Sequence, residues 1–214
     1  MNIALINGSP KANNSTSEIL LADLKKCITE FNAEKTEIKE IGLHNTVIPQ
    51  QTLEILKTAE AWVFAYPLYV DSIPAHLLSC LIQLEETDWQ NRQIHIYGIV
   101  NCGFYEGVQA EFALDILKNW CSKSIFIWGG GIGVGGGGAL AQMPTIENGH
   151  GPKAPIEKAL HTLADKILQQ ETQQNNFVSV AFPRFLYKMA AQMGWRHMIK
   201  ANGGKIKDLG NQPR

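Results

Sequence analysis

The 214 residues suffice for one large domain that buries a core without disulfide or metal staples. Lys and Arg total 19 against 20 Asp and Glu, a near-neutral balance that argues against a nucleic-acid binder. The balance is uneven, however, because the stretch from Phe177 onward carries +6 and the body before it −7. Cys27, Cys80, Cys102 and Cys121 are widely spaced, with no CxxC pair, so reduced thiols are expected and no zinc or cluster site is encoded in the usual spacing. No charged-then-apolar leader opens the chain and no apolar run approaches ~20 residues, which predicts a soluble, cytoplasmic protein.

Ile3-Ala4-Leu5-Ile6 is an aliphatic run of the kind that forms a strand buried on both faces, and it ends in the turn Gly8-Ser9-Pro10. Ser15 and Glu18 stand at capping-box spacing before the apolar stripe of Ile19, Leu20, Leu24, Cys27, Ile28 and Phe31, so a helix begins near Ser15. A helix N-terminus exposes unpaired N–H groups and about half a positive charge, which makes the strand-to-helix loop a natural anion site. Ser9, Asn13, Ser15, Thr16 and Ser17 all bring donors to it; the alternative is a well-capped turn with no ligand.

Residues Thr36 to Ile41 alternate polar and apolar, as an edge strand does, and a short helix around Gln51 to Lys57 follows. Ala61 to Tyr66 is a continuous apolar run that reads as a central strand stopped by Pro67; Pro74 then opens a helix continued by Leu77, Leu78, Leu81 and Leu84. Gln93 to Val100 is the next strand, and Val108, Phe112, Ile116, Leu117 and Trp120 mark a helix with one buried face. Ser124 to Trp128 is the last strand candidate, and Ile156, Leu160, Leu163 and Ile167 mark the last helix of the body. Strands that alternate with helical crossovers lie parallel, so the fold class is α/β, a doubly wound parallel sheet of five strands with helices on both faces. Residues 1–172 form this domain, and 173–214 form a polar linker followed by a basic amphipathic helical tail.

Ligands of such sheets bind outside the carboxyl ends of the strands. Two further loops lie there. Pro67-Leu68-Tyr69-Val70-Asp71-Ser72-Ile73-Pro74 is a stiff, aromatic loop between prolines, suited to a planar, partly apolar ring, or else a rigid connector. Asn101-Cys102-Gly103-Phe104-Tyr105-Glu106-Gly107 brings two glycines, two aromatics and an acid, whose role is either ligand contact or support of the next helix dipole. Gly129 to Gly138 formally contains G-x-G-x-x-G, but no strand ends in an acid about 20 residues further on, so it reads as a loop at the pocket rim, a subunit contact or a connector. His150 reads as a solvated loop residue. No acid–base dyad or nucleophile–base pair is evident, so no catalytic side chain is assigned.

GSPKANNSTSEIL and PLYVDSIPAHL together resemble the flavodoxin-like NADPH-dependent FMN reductases and their NAD(P)H-dependent oxidoreductase relatives, over residues 1 to about 168. The resemblance implies a flavodoxin-like strand order 2-1-3-4-5 and FMN as cofactor. It implies Ser9, Lys11, Ser15, Thr16 and Ser17 at the phosphate, and Pro67, Leu68, Tyr69, Val70 and Asp71 along the isoalloxazine. Asn101, Cys102, Gly103, Tyr105 and Glu106 would lie on its other side. Lys11 stands where an arginine is frequent, which loses a bidentate fork but keeps the charge. The compact cysteine motif of relatives with an iron–sulfur cluster is lacking. The implied activity is hydride transfer from NADH or NADPH through FMN to a quinone, nitro compound or flavin; the alternative is an FMN electron carrier or redox sensor that docks a protein. A homodimer is expected, no nucleic acid, and weak membrane-surface contact through the tail is open beside packing on the body or on a second subunit.

Overall fold

The computed structural model describes residues 1–32, 36–90, 92–140 and 151–207. His150 and Asp208 therefore lie outside the described residues. The chain divides into two compact units, Met1–Val180 and Ala181–Arg214.

The first unit is a parallel sheet in the order β2-β1-β3-β4-β5-β6. Its strands are β1 (Asn2–Asn7), β2 (Glu37–Gly42), β3 (Ala61–Pro67), β4 (His95–Asn101), β5 (Ile127–Gly135) and β6 (Asn176–Ser179). The helices are α1 (Thr16–Asn32), α2 (Gln50–Thr58), α3 (Ala75–Glu86), α4 (Glu111–Lys123), α5 (Gly137–Leu140) and α6 (Ala154–Gln169), with a 3₁₀ turn at Gly107–Ala110 leading into α4. As the alternation of Thr36 to Ile41 predicts, β2 is an edge strand, while β3, the continuous apolar run, lies inside the sheet and is buried from Ala61 to Tyr66. Trp62, Phe64 and Tyr66 point into a core with Leu56 of α2, Leu77 and Leu81 of α3, and Leu114, Leu117 and Trp120 of α4. Rings stack there edge to face, Trp62 against Trp89 with centroids 4.9 Å apart. The Trp120 indole N–H donates to the Leu81 carbonyl at 3.1 Å, joining α4 to α3.

Two expectations are corrected. The sheet has six strands, because Asn176–Ser179, taken from sequence as the end of a linker and the start of the tail, adds to β5 in parallel register, Gly133 beside Phe177 and Val134 beside Val178. The glycine run is largely strand rather than loop: β5 spans Ile127–Gly135 and so runs seven residues past the Trp128 end expected from its apolar beginning. Within it Ile132 and Val134 are fully buried on one face, while Gly131, Gly133 and Gly135 alternate onto the other. That second face admits no side chain. A Cβ on Gly133 would stand 2.6 Å from the Gly107 carbonyl oxygen, and one on Gly135 would overlap the Tyr105 carbonyl. The glycines thus let the turn after β4 pack backbone to backbone on β5.

The second unit holds α7 (Arg184–Ala201), of which no residue is buried. It closes on a glycine pair, with Gly203 left-handed at φ +77° and the Gly204 N–H donating to the Ile199 carbonyl at 2.9 Å.

Replacing Gly133 by Ala should cost about 2 kcal/mol, since rigid backbone blocks the new methyl. Gly138→Ala, whose Cβ meets nothing within 4 Å, should change stability by less than about 0.5 kcal/mol. Urea midpoints of the two variants give the comparison, and equal effects would disprove the tight contact.

Candidate functional site

The carboxyl ends of β1, β3, β4 and β5 converge on one edge of the sheet, and all three loops singled out in the sequence lie there. At the β1 loop the capping box is complete: the Ser15 N–H donates to Glu18 Oε2 at 3.4 Å and the Glu18 N–H to Ser15 Oγ at 3.1 Å. The backbone N–H groups of Thr16 and Ser17 meet no acceptor among the described residues, leaving two donors of the α1 N-terminus open.

The hydroxyls are occupied in a different way. Ser9 Oγ accepts from the Lys11 N–H at 3.2 Å, Ser15 Oγ also accepts from Asn7 Nδ2 at 3.4 Å, and Ser17 Oγ accepts from Asn101 Nδ2 at 2.8 Å. Each keeps its own proton to donate. Thr16 Oγ1 instead donates to the Gly137 carbonyl at 3.2 Å. Ser9, Ser15 and Ser17 are all buried, and Ser17, turned onto Asn101 of β4, serves as a strut between the two elements. Lys11 is exposed and its ammonium folds back on the Asn14 carbonyl at 2.9 Å.

In the β3 loop Pro67 and Leu68 are half-buried, and the Leu68 N–H donates to the Asn101 carbonyl at 2.8 Å. Tyr69 and Ser72 exchange backbone hydrogen bonds at 3.1 and 3.0 Å across a tight turn. Its central residues, Val70 at φ +49° and Asp71 at φ +56°, are both left-handed, the geometry of a type I′ turn. That is costly for a β-branched side chain, and Val70 is 98% exposed, so burial of its side chain does not offset the cost. The N–H groups of Val70 and Asp71 meet no acceptor among the described residues.

In the β4 loop Asn101 is buried, its amide shared between Ser17 Oγ and the Tyr66 carbonyl at 3.2 Å. Cys102 is buried too, with its thiol directed at the Phe104 and Glu106 carbonyls, and burial pushes that thiol above its ordinary value of 9.0. It is therefore a neutral structural thiol rather than a nucleophile. Gly103 is exposed and a Cβ there would meet open space; Tyr105 and Glu106 are half-buried.

Sequence reasoning missed Asn7, His44 and His76. Asn7 is buried at the end of β1 and its Oδ1 accepts the Ser9 N–H at 3.1 Å, holding the turn; a polar residue directly before Gly8 was the available signal. His44 Nδ1 lies 2.7 Å from the Ser9 carbonyl, and its ring lines a cavity of about 170 Å³ with Asn7, Ala12 and Glu18. His76, in the first turn of α3, sits by the Gly8 and Leu43 carbonyls, with Nε2 buried and unpartnered. Among the described residues no three His, Cys, Asp or Glu side chains group as metal ligands, and the four cysteines are unpaired.

No protein-family model matches the chain, and no curated protein matches its sequence. Solved structures do. The Trp repressor binding protein from Bacillus subtilis is 15% identical and superposes with a TM-score of 0.54 over 78% of this chain and 97% of its own. A short-chain flavodoxin associated with a bacterial microcompartment, 14% identical, gives 0.53 over 80% and 100%. The fold is flavodoxin-like. An FMN-dependent NADH-azoreductase from Bacillus anthracis, solved in complex with FMN, is 13% identical with a TM-score of 0.52 over 79% and 99%. The flavodoxin-like order 2-1-3-4-5 is preserved, with β6 added beyond it.

Burial holds His76 below its ordinary 6.5, against a smaller opposing pull from the Leu43 and Gly8 carbonyls, and lowers His95 likewise. Unfolded chains protonate these rings at the ordinary value, so the unfolded state binds more protons just below pH 6.5. Stability should be full above that pH and fall as pH drops through the window toward the depressed folded values. Urea unfolding at stepped pH checks this, and the slope should flatten in His76→Gln; an unchanged slope in that variant would remove His76 from the account.

Proposed function

We propose that this flavodoxin-like protein is an oxidoreductase that holds FMN at the carboxyl edge of its sheet, takes hydride from NADH or NADPH and reduces a small acceptor such as a quinone, nitro compound or flavin. The observation that carries the reading is the set of open backbone donors at that edge: Thr16 and Ser17 at the α1 N-terminus, and Val70 and Asp71 in the strained turn. The first pair suits a phosphate, because N–H groups at a helix N-terminus combine direct donation with the dipole. The second pair suits acceptor atoms of a flat heterocycle, with Tyr69, half exposed, available to cover a ring. That the Bacillus anthracis neighbour is an FMN-dependent azoreductase supports the class of chemistry, not the acceptor.

When bound, FMN supplies the redox chemistry, accepting a hydride and handing on two electrons. The chain's own residues position and shield. Ser9 and Ser15 keep hydroxyl protons to donate, and Lys11 adds positive charge at the loop. Asn101 ties β4 to α1 and so holds their two loops in one arrangement. No side chain is asked to exchange a proton, in keeping with the neutral Cys102.

The decisive measurement is the visible spectrum of the purified protein with FMN added, followed by anaerobic mixing with NADPH or NADH. Uptake of FMN and fast bleaching are expected; no uptake removes the reading, and uptake without bleaching leaves an electron carrier. Ser15→Asp keeps a good N-cap while setting a carboxylate beside the phosphate, so FMN affinity should fall about 100-fold, with riboflavin binding little changed.

A further inference from the structure

The second unit carries a surface that this redox reading does not use. Along α7, Phe185, Met189 and Met193 follow at four-residue steps and are 67%, 54% and 65% exposed. Arg196 and Lys200 continue the same stripe toward the C-terminus. The stripe is thus apolar in its first half and cationic in its second. Every charged residue from 172 to 207 is basic, six in all, with no Asp or Glu among them.

We propose that α7 docks on the surface of an anionic lipid bilayer. Its Phe185–Met193 half sits at the boundary between headgroups and acyl chains, and Arg196 and Lys200 meet lipid phosphates. The 18-residue helix is about 27 Å long, enough to lie in that plane. It does not cross: no helix among the described residues is long and apolar enough to span a membrane. Trp195 and Met198 lie away from the stripe, beyond Gly194, so the seat is shallow.

Charge and apolarity together select this occupant. A second copy of α7 brings only like charge, with no carboxylate on the helix to pair with Arg196 or Lys200. A nucleic acid satisfies the basic half but leaves three large apolar side chains against water. An anionic bilayer satisfies both halves of the stripe.

The test is co-sedimentation of the full chain with vesicles of phosphatidylcholine alone, or with about one-third phosphatidylglycerol. Binding is expected only to the anionic vesicles, and should weaken with salt. Arg196→Ala with Lys200→Ala should weaken it about 30-fold, and Phe185→Ser with Met189→Ser about tenfold or more. Arg196→Lys with Lys200→Arg should retain it, which separates loss of charge from loss of the helix. Equal sedimentation with neutral vesicles overturns the proposal, as does binding indifferent to the Phe185 and Met189 changes. So does an oligonucleotide bound more tightly than the vesicles, or a dimer in sedimentation velocity that ignores lipid and is broken by the Arg196 and Lys200 changes. Flavin uptake is read by absorbance on the same samples, so failure of either reading leaves the other standing.

Discussion

The contact on which the carboxyl edge of the sheet depends is made of backbone alone. Gly133 and Gly135 of β5 and Gly107 of the turn after β4 lie so close that no Cβ fits between them. This lets the turn's own groups bond the end of β5: the Gly136 N–H donates to the Phe104 carbonyl at 2.6 Å, and the Gly137 N–H to the Cys102 carbonyl at 2.8 Å. The 102–107 loop is thereby held largely by strand geometry, helped by the Ser179 hydroxyl, which accepts the Gly107 N–H at 3.2 Å, and by the Cys102 thiol directed at the loop's own carbonyls. The same strand end delivers the Gly137 carbonyl to Thr16 Oγ1, so β5 also fixes the start of α1. A glycine-free β5 would push the loop outward and lose both ties at once.

A second constraint runs across the edge through one buried amide. Asn101 Nδ2 reaches both Ser17 Oγ and the Tyr66 carbonyl, linking β4 to α1 and to the end of β3. An amide left without partners in such a place costs about 1–3 kcal/mol, so the three elements are held in one arrangement rather than in several. Asn7 does the same work on the other side, bonding both Ser9 and Ser15. Between these two fixed sides stands a strained turn, Val70–Asp71, whose left-handed backbone is held by the Tyr69–Ser72 bonds and by the prolines that bound the loop.

Much of this was legible in the sequence, and the exceptions have physical causes. The capping box of Ser15 and Glu18 sits where its spacing places it, since a cap is a local interaction written in four consecutive residues. β3 and β4 follow from unbroken apolar runs. β5 misleads because glycine weighs against a strand by propensity, while its reason for being there is the approach of a segment some 25 residues earlier, a tertiary contact no local window contains. The alternation of Gly131, Ile132, Gly133, Val134 and Gly135 was the available sign of a strand with one bare face. β6 escaped because four polar-flanked residues at an edge carry little pattern. At the site, the crowd of hydroxyls suggested an anion loop, but their hydrogen bonds had to be seen before struts could be told from donors.

That distinction changes what the loop composition means. Thr16 Oγ1 has donated its proton to the protein, and Ser17 is buried on Asn101. On the reading proposed above, recognition of the phosphate rests first on the Thr16 and Ser17 N–H groups, and only Ser9 and Ser15 among the four hydroxyls add to it. Backbone donors are indifferent to side-chain identity, which is why an exposed lysine, bonded to its own loop at Asn14, can stand at position 11 in place of an arginine. The loop's serines and threonine then matter chiefly through the positions they hold, and a change at Ser17 should act on the ligand by displacing α1 from β4 rather than by removing a contact.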